Sequence, residues 1–202
     1  KTFEQERSES VQLARQKFFR GLLLGKNSAS SLLKEGRKLG MDLVADRYNI
    51  LLFQIFAGEE AQGYSEKQNE AAQRVEAVVT NRPDILMVEL GIEGWAFILK
   101  ERGESSLEEI QDCFLGELAN ILEKYGDLEY FGGIGRPVER LSELKQCYEE
   151  ASHAFAYRYL KKHNQIIYSN ELQEKEFLKE EVDLGTLEVG KMDRQIAERF
   201  LK

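Results

Sequence analysis

Residues 129–172 read EYFGGIGRPVERLSELKQCYEEASHAFAYRYLKKHNQIIYSNEL, and this run decides the fold. Tyr130 and Phe131 belong to a short strand, and Gly132, Gly133 and Gly135 allow a sharp or close backbone path at its end. Pro137 fixes one φ angle near the start of the helix that follows. Leu141, Leu144, Tyr148, Ala151, Phe155 and Tyr159 recur at spacings of three and four, which gives a long helix one apolar face. Ile166, Ile167 and Tyr168 then form a β-rich run. The segment reads as strand, glycine turn, helix, strand.

Upstream, residues 48–56 read YNILLFQIF. Ile50, Leu52 and Phe56 fall on one alternating face, Leu51, Phe53 and Ile55 on the other, as in a central strand covered on both sides. A helix is expected over 66–80, with Ser65 and Gln68 as a capping pair and Gln68, Ala72, Val75 and Val79 facing inward. Pro83 and Asp84 break it. Residues 85–90 and 95–100 make a hairpin turning through 91–94. Another helix starts at Ser105 or Ser106, buries Leu107, Ile110, Phe114, Leu118, Ile121 and Tyr125, and stops at Gly126. The first six elements stand in the order of a ferredoxin-like α+β sandwich, with helices on one face of an antiparallel sheet.

The phrase GIGRPVERLSELKQCYEEA, followed by AYRY and QIIY, resembles the middle domain of YesN-like two-component response regulators of the AraC transcription-factor class. That domain is similar to a degenerate GGDEF domain, so the resemblance implies a nucleotide-cyclase/GGDEF type of sandwich with an added helix and strand. It covers about residues 5–200 and is sharpest over 129–172. It places a degenerate GGDEF-like α+β domain at 46–172, between a phosphorylatable receiver and a helix-turn-helix DNA reader.

The flanks read as helical extensions. In residues 5–25, Val11, Ala14, Phe18 and Leu22 line one side, widened by Phe19 and Leu23. A second helix begins near Ser28 or Ser30, carries Leu32, Leu33 and Leu39, and closes at Gly40. Residues 1–45 are therefore expected to be a helical linker or dimerisation segment. Residues 173–202 are a charged linker helix with Met192, Ile196, Phe200 and Leu201 at helical spacing. The chain starts at Lys1 without Met and stops at Lys202 inside a helical pattern, as a piece of a longer polypeptide would.

The 202 residues are 42% hydrophobic and 32% charged, enough for one sizeable core. No signal peptide or membrane-length apolar run is present, so a cytoplasmic location is expected. Net charge is −8, and Lys161, Lys162 and His163 are a small basic cluster suited to a helix end. Direct contact with nucleic acid is not expected of such a surface. Cys113 and Cys147, the only cysteines, lack metal-ligand spacing and read as buried free thiols.

Cyclase chemistry needs carboxylates that hold two divalent ions against a triphosphate. The GGDEF pattern puts one late on the first strand and others in the hairpin turn. Here the strand offers Gln54, Ile55 and Phe56, and the turn reads Gly91, Ile92, Glu93, Gly94. Only Glu93 and Glu89 bring oxygen there. No nucleophile motif accompanies His153 or His163, and the glycine turn at 132–135 lacks the Lys-Ser/Thr of a P-loop. His153 reads as a packed or surface side chain, and Trp95 as core or the lid of a small cleft.

The resemblance implies a non-catalytic relay domain, while the residues themselves give an α+β module with an amphipathic helix at each end. No catalytic, cofactor or metal residues and no cofactor are expected, and a homodimer is expected through the N-terminal helix. The alternatives are a small-molecule or nucleotide sensor and a residual nucleotide cyclase.

Overall fold

The YNILLFQIF run lies at the centre of the sheet. In a computed structural model, which describes residues 3–23, 27–58, 66–80, 82–160 and 163–172, it forms strand β1 (Arg47–Ala57). β1 pairs antiparallel with β3 (Trp95–Glu101) on one side and β4 (Leu128–Ile134) on the other. β2 (Ile85–Glu89) continues the sheet beyond β3, and β5 (Gln165–Tyr168) lies parallel to β4, for a strand order β2-β3-β1-β4-β5. With α3 (Glu66–Thr80) and α4 (Leu107–Leu122), the first four strands form the ferredoxin-like core. Helix α5 (Leu144–Ala156) and β5 add one parallel crossover to an otherwise antiparallel sheet.

Helices cover both faces, not one. Leu51 and Phe53 of β1 join Val75, Phe97, Phe114 and Leu118 in the core beneath α3 and α4. Ile50 and Leu52, at the alternate positions, are equally buried, and α5 packs against β1 and β4. Helix α1 (Phe3–Leu23) packs against α5 and β2, with Phe19 edge-on to Tyr148 at 5.8 Å. The physical reason lies in β1, whose two pleat faces are both apolar and must both be shielded from water.

The chain divides into two compact units, Lys1–Ser169 and Asn170–Lys202. In the first, Phe18, Phe19 and Leu22 of α1, Leu32 of α2 (Ala29–Lys38), and Met41 and Leu43 of the following connector are all buried. The segment expected as a linker thus shares a compact unit with the sheet. Of the α1 stripe, Val11 keeps 39% exposure, while Leu13, beside that stripe, keeps 68%. The linker helix expected over 173–202 lies outside the described residues.

Local signals worked where they were chemically specific. The Ser106 hydroxyl accepts from the Glu109 N–H while the Glu109 carboxylate accepts from the Ser106 N–H. All six expected inward residues from Leu107 to Tyr125 are buried. Helix α4 nevertheless ends at Leu122, a turn before Gly126. In α3 Val75 and Val79 are buried as expected, but the buried alanine is Ala71, with Ala72 half-buried, and Ser65 lies outside the described residues.

Three expectations fail, two beside α5 and one on α4. Pro137 does not open the helix, because the flanking Val138 exchanges two backbone hydrogen bonds with Tyr48 at 2.7 and 2.8 Å. The chain stays extended there, and the α-helix begins at Leu144 after a 3-10 turn. Tyr159, assigned to the apolar face, is 77% exposed because the helix tightens to 3-10 at Tyr157 and rotates it outward. Cys147 is buried but Cys113 is exposed.

Candidate functional site

Gly91 and Gly94 shape the tip of the β2–β3 hairpin, with φ of 67° and 88°. A Cβ at Gly94 would collide with the Phe53 carbonyl, so only glycine lets this turn lie directly on β1. The Leu90 N–H donates to the Gly94 carbonyl at 2.8 Å and closes the loop. On β1, the Gln54 Nε2 donates to the Ile92 carbonyl across 2.8 Å. The Gln54 Oε1 is buried and has no hydrogen-bond partner among the described residues.

Gln54 is thus an amide clamp on the hairpin. A carboxylate in its place has no proton to donate when ionised and would repel the Ile92 carbonyl. Glu93 points to solvent from the same turn, and Ile92 is 94% exposed. Glu89 accepts from Gln12 Nε2 of α1 at 3.4 Å, which ties the hairpin to the N-terminal helix. Burial first, then the charge of Glu89, pushes the Glu76 carboxyl above its usual range. Among the described residues, no group of three or more His, Cys, Asp or Glu side chains is placed to hold a metal ion.

Sequence reading missed a second cluster. His163 stacks on Phe56 with ring centroids 4.4 Å apart, and its Nδ1 meets the Glu129 carboxylate. Phe56 and Glu129 are direct partners in the β1–β4 register. The connection is closed by Asn164, at φ 62°, whose N–H donates to the Tyr130 carbonyl at 2.6 Å and whose Oδ1 accepts from the Tyr130 N–H at 3.0 Å. No local signal reveals this pairing, since it depends on the β4–β5 alignment; the Asn164 turn is its one trace in the sequence. His153 is exposed on α5, with its ring edge against Tyr157.

The glycines after Phe131 serve packing. A Cβ on Gly133 would stand 2.5 Å from the Ala151 carbonyl oxygen and the Phe155 nitrogen, and one on Gly135 would strike the Cys147 carbonyl. Both positions let the α5 backbone rest on the sheet. Arg136 follows immediately, and its backbone N–H and guanidinium both donate to Glu150 of α5 at 2.6 to 3.1 Å.

The model of the GGDEF-like domain matches residues 24–157, from the approach to α2 to the turn after α5, and leaves β5 outside. No curated protein matches the chain. The match takes in well over half of the 202 residues and agrees with the strand order of the sheet. By that measure the chain belongs to the GGDEF-like domain family.

Proposed function

We propose that this GGDEF-like domain is a non-catalytic relay in a two-component response regulator of the YesN-like, AraC class. It acts in the cytoplasm, between a phosphorylatable receiver and a helix-turn-helix DNA reader, as a homodimer formed through α1. The observation that carries the reading is Gln54. Where the family pattern has a metal-binding carboxylate late on the first strand, this chain has a neutral amide spent on the Ile92 carbonyl. Two divalent ions against a triphosphate need several oxygens from that strand and turn.

Mechanical coupling has a ready route. Phe18, Phe19 and Leu22 bury the C-terminal half of α1, and Gln12 reaches Glu89 on the hairpin strand. A change in how α1 pairs with its copy is passed to the sheet, because packed elements shift between discrete arrangements rather than deform smoothly. A net charge of −8 leaves DNA contact to the reader domain.

The test combines thermal melting with turnover assays, using GTP and ATP with magnesium or manganese. The relay reading expects no product and no shift of the melting midpoint beyond what inorganic phosphate alone gives. Turnover of either nucleotide overturns it, and a larger metal-independent shift without turnover moves the assignment to nucleotide sensing.

A further inference from the structure

Lys100 stands near the end of β3 and is 1% exposed. Among the described residues its Nζ donates to one acceptor, the main-chain carbonyl of Asp42. Burial, helped by the Arg102 charge, presses its pKa below the ordinary lysine value, partly opposed by the Asp42 and Asp84 carboxylates, neither of which is hydrogen-bonded to it among the described residues. A buried ammonium bonded to a neutral carbonyl is costly unless a counter-charge reaches it.

Lys100 lies in the wall of a cavity of about 330 Å³, where α1, the connector after α2, the end of α3 and the β2–β3 pair meet. Its other cations are Arg15, Arg82 and Arg102. Arg82 is committed to Asp84 and Glu117, each at 2.6 Å, and Arg102 to the Asp42 carboxylate at 2.7 Å. Arg15 resembles Lys100, with its Nε donating to the Leu39 carbonyl at 2.9 Å. Among the described residues, the remaining acid in the wall is Glu76, whose neutral form burial favours. Two positive charges therefore face the cavity with carbonyls, not carboxylates, as their hydrogen-bond partners among the described residues.

We propose that this cavity binds a small, multiply charged oxyanion, a phosphate monoester or a polycarboxylate. Lys100 and Arg15 hold it, and Arg102 stands at the rim. Its size is at the lower end of ligand pockets, and a guanidinium with an ammonium is the pairing such anions select. The anion joins α1 to β3 directly, so occupancy tightens the N-terminal helix on the sheet. The site is separate from the hairpin tip and stands whether or not the relay reading does.

The experiment titrates the whole chain with inorganic phosphate and with citrate at constant ionic strength, against chloride, by calorimetry and thermal melting. At least one of the two saturates and raises the melting midpoint, and chloride does neither. Which one saturates separates the phosphate from the carboxylate class. Lys100→Met, which keeps the length of the side chain without its charge, and Arg15→Gln each weaken binding by about tenfold or more. Arg15 lies on the half-buried side of α1, so Arg15→Gln reports even where Lys100→Met fails to fold. Absence of saturation with both anions, or equal binding in Arg15→Gln, overturns the site.

Discussion

The imidazole of His163 lies flat on the ring of Phe56, with the planes 4° from parallel, and its Nδ1 meets Glu129 on the neighbouring strand. Strand β5 is only four residues long and sits at the sheet edge, so this stack is a main anchor of its entry. His163→Ala is expected to cost about 1 kcal/mol, the usual size of a ring–ring pair beyond its buried area. A double-mutant cycle with Phe56→Leu, read by urea denaturation, should recover a coupling of similar size. Additive effects would mean that the two rings do not stabilise each other.

Two glycine-to-alanine substitutions should move stability in opposite directions. Gly133→Ala drives a methyl into the α5 backbone and should cost about 3 kcal/mol or more. Gly116 is exposed within α4, with nothing within 4 Å of a new Cβ. Gly116→Ala should stabilise the domain by about 0.5–1 kcal/mol through lower unfolded-state entropy. Chemical denaturation of both variants checks the pair.

The thiols should separate cleanly. Burial pushes Cys147 up to about 12, so it stays protonated and unreactive in the native protein. Cys113 is exposed. Ellman's reagent should label one thiol per chain quickly and the second only on unfolding. The sign of the pH effect follows, because the unfolded Cys147 ionises near the ordinary thiol range while the folded one does not. Stability should therefore fall as pH rises above about 9, at up to about 1.4 kcal/mol per pH unit.

Glu150 should shape the acid limb. Burial raises its pKa, but the Arg136 hydrogen bonds outweigh that and hold the carboxyl below its usual range. A depressed carboxyl stabilises the fold above the unfolded pKa, and the contribution disappears as pH falls through the folded value. Glu150→Gln should flatten the acid side of the stability profile and cost about 1 kcal/mol at neutral pH, since Arg136 is half exposed.

The dimer test needs a residue the fold does not already use. Phe18 has only 6% exposure, so Phe18→Glu should unfold the domain rather than split a dimer. Leu13, at 68%, is the better probe. Light scattering should show mass rising with concentration in the parent chain and less in Leu13→Glu, with circular dichroism unchanged. A parent chain that stays monomeric at high concentration removes pairing from the relay.

Periodicity carried much of the fold because local geometry and burial agreed in α4 and β1. The six inward residues from Leu107 to Tyr125 repeat at helical spacing, and both faces of β1 are apolar. The absence of acid at Gln54 was equally visible. What Gln54 does instead was not, because its partner Ile92 is remote in the chain and the two meet only when the hairpin lies on β1. The Lys100 cavity was hidden for a similar reason, as its walls come from α1, the α2 connector, α3 and two strands.

Residue order by itself determined the succession of strands and helices, since spacing of apolar side chains and capping chemistry act over a few positions. Only the tertiary structure decided which helices shield each sheet face, that Phe18 serves the core, and that His163 rests on Phe56. Those outcomes depend on which distant surfaces exclude water together, and β-sheet pairing sets that through contacts no short window of sequence contains.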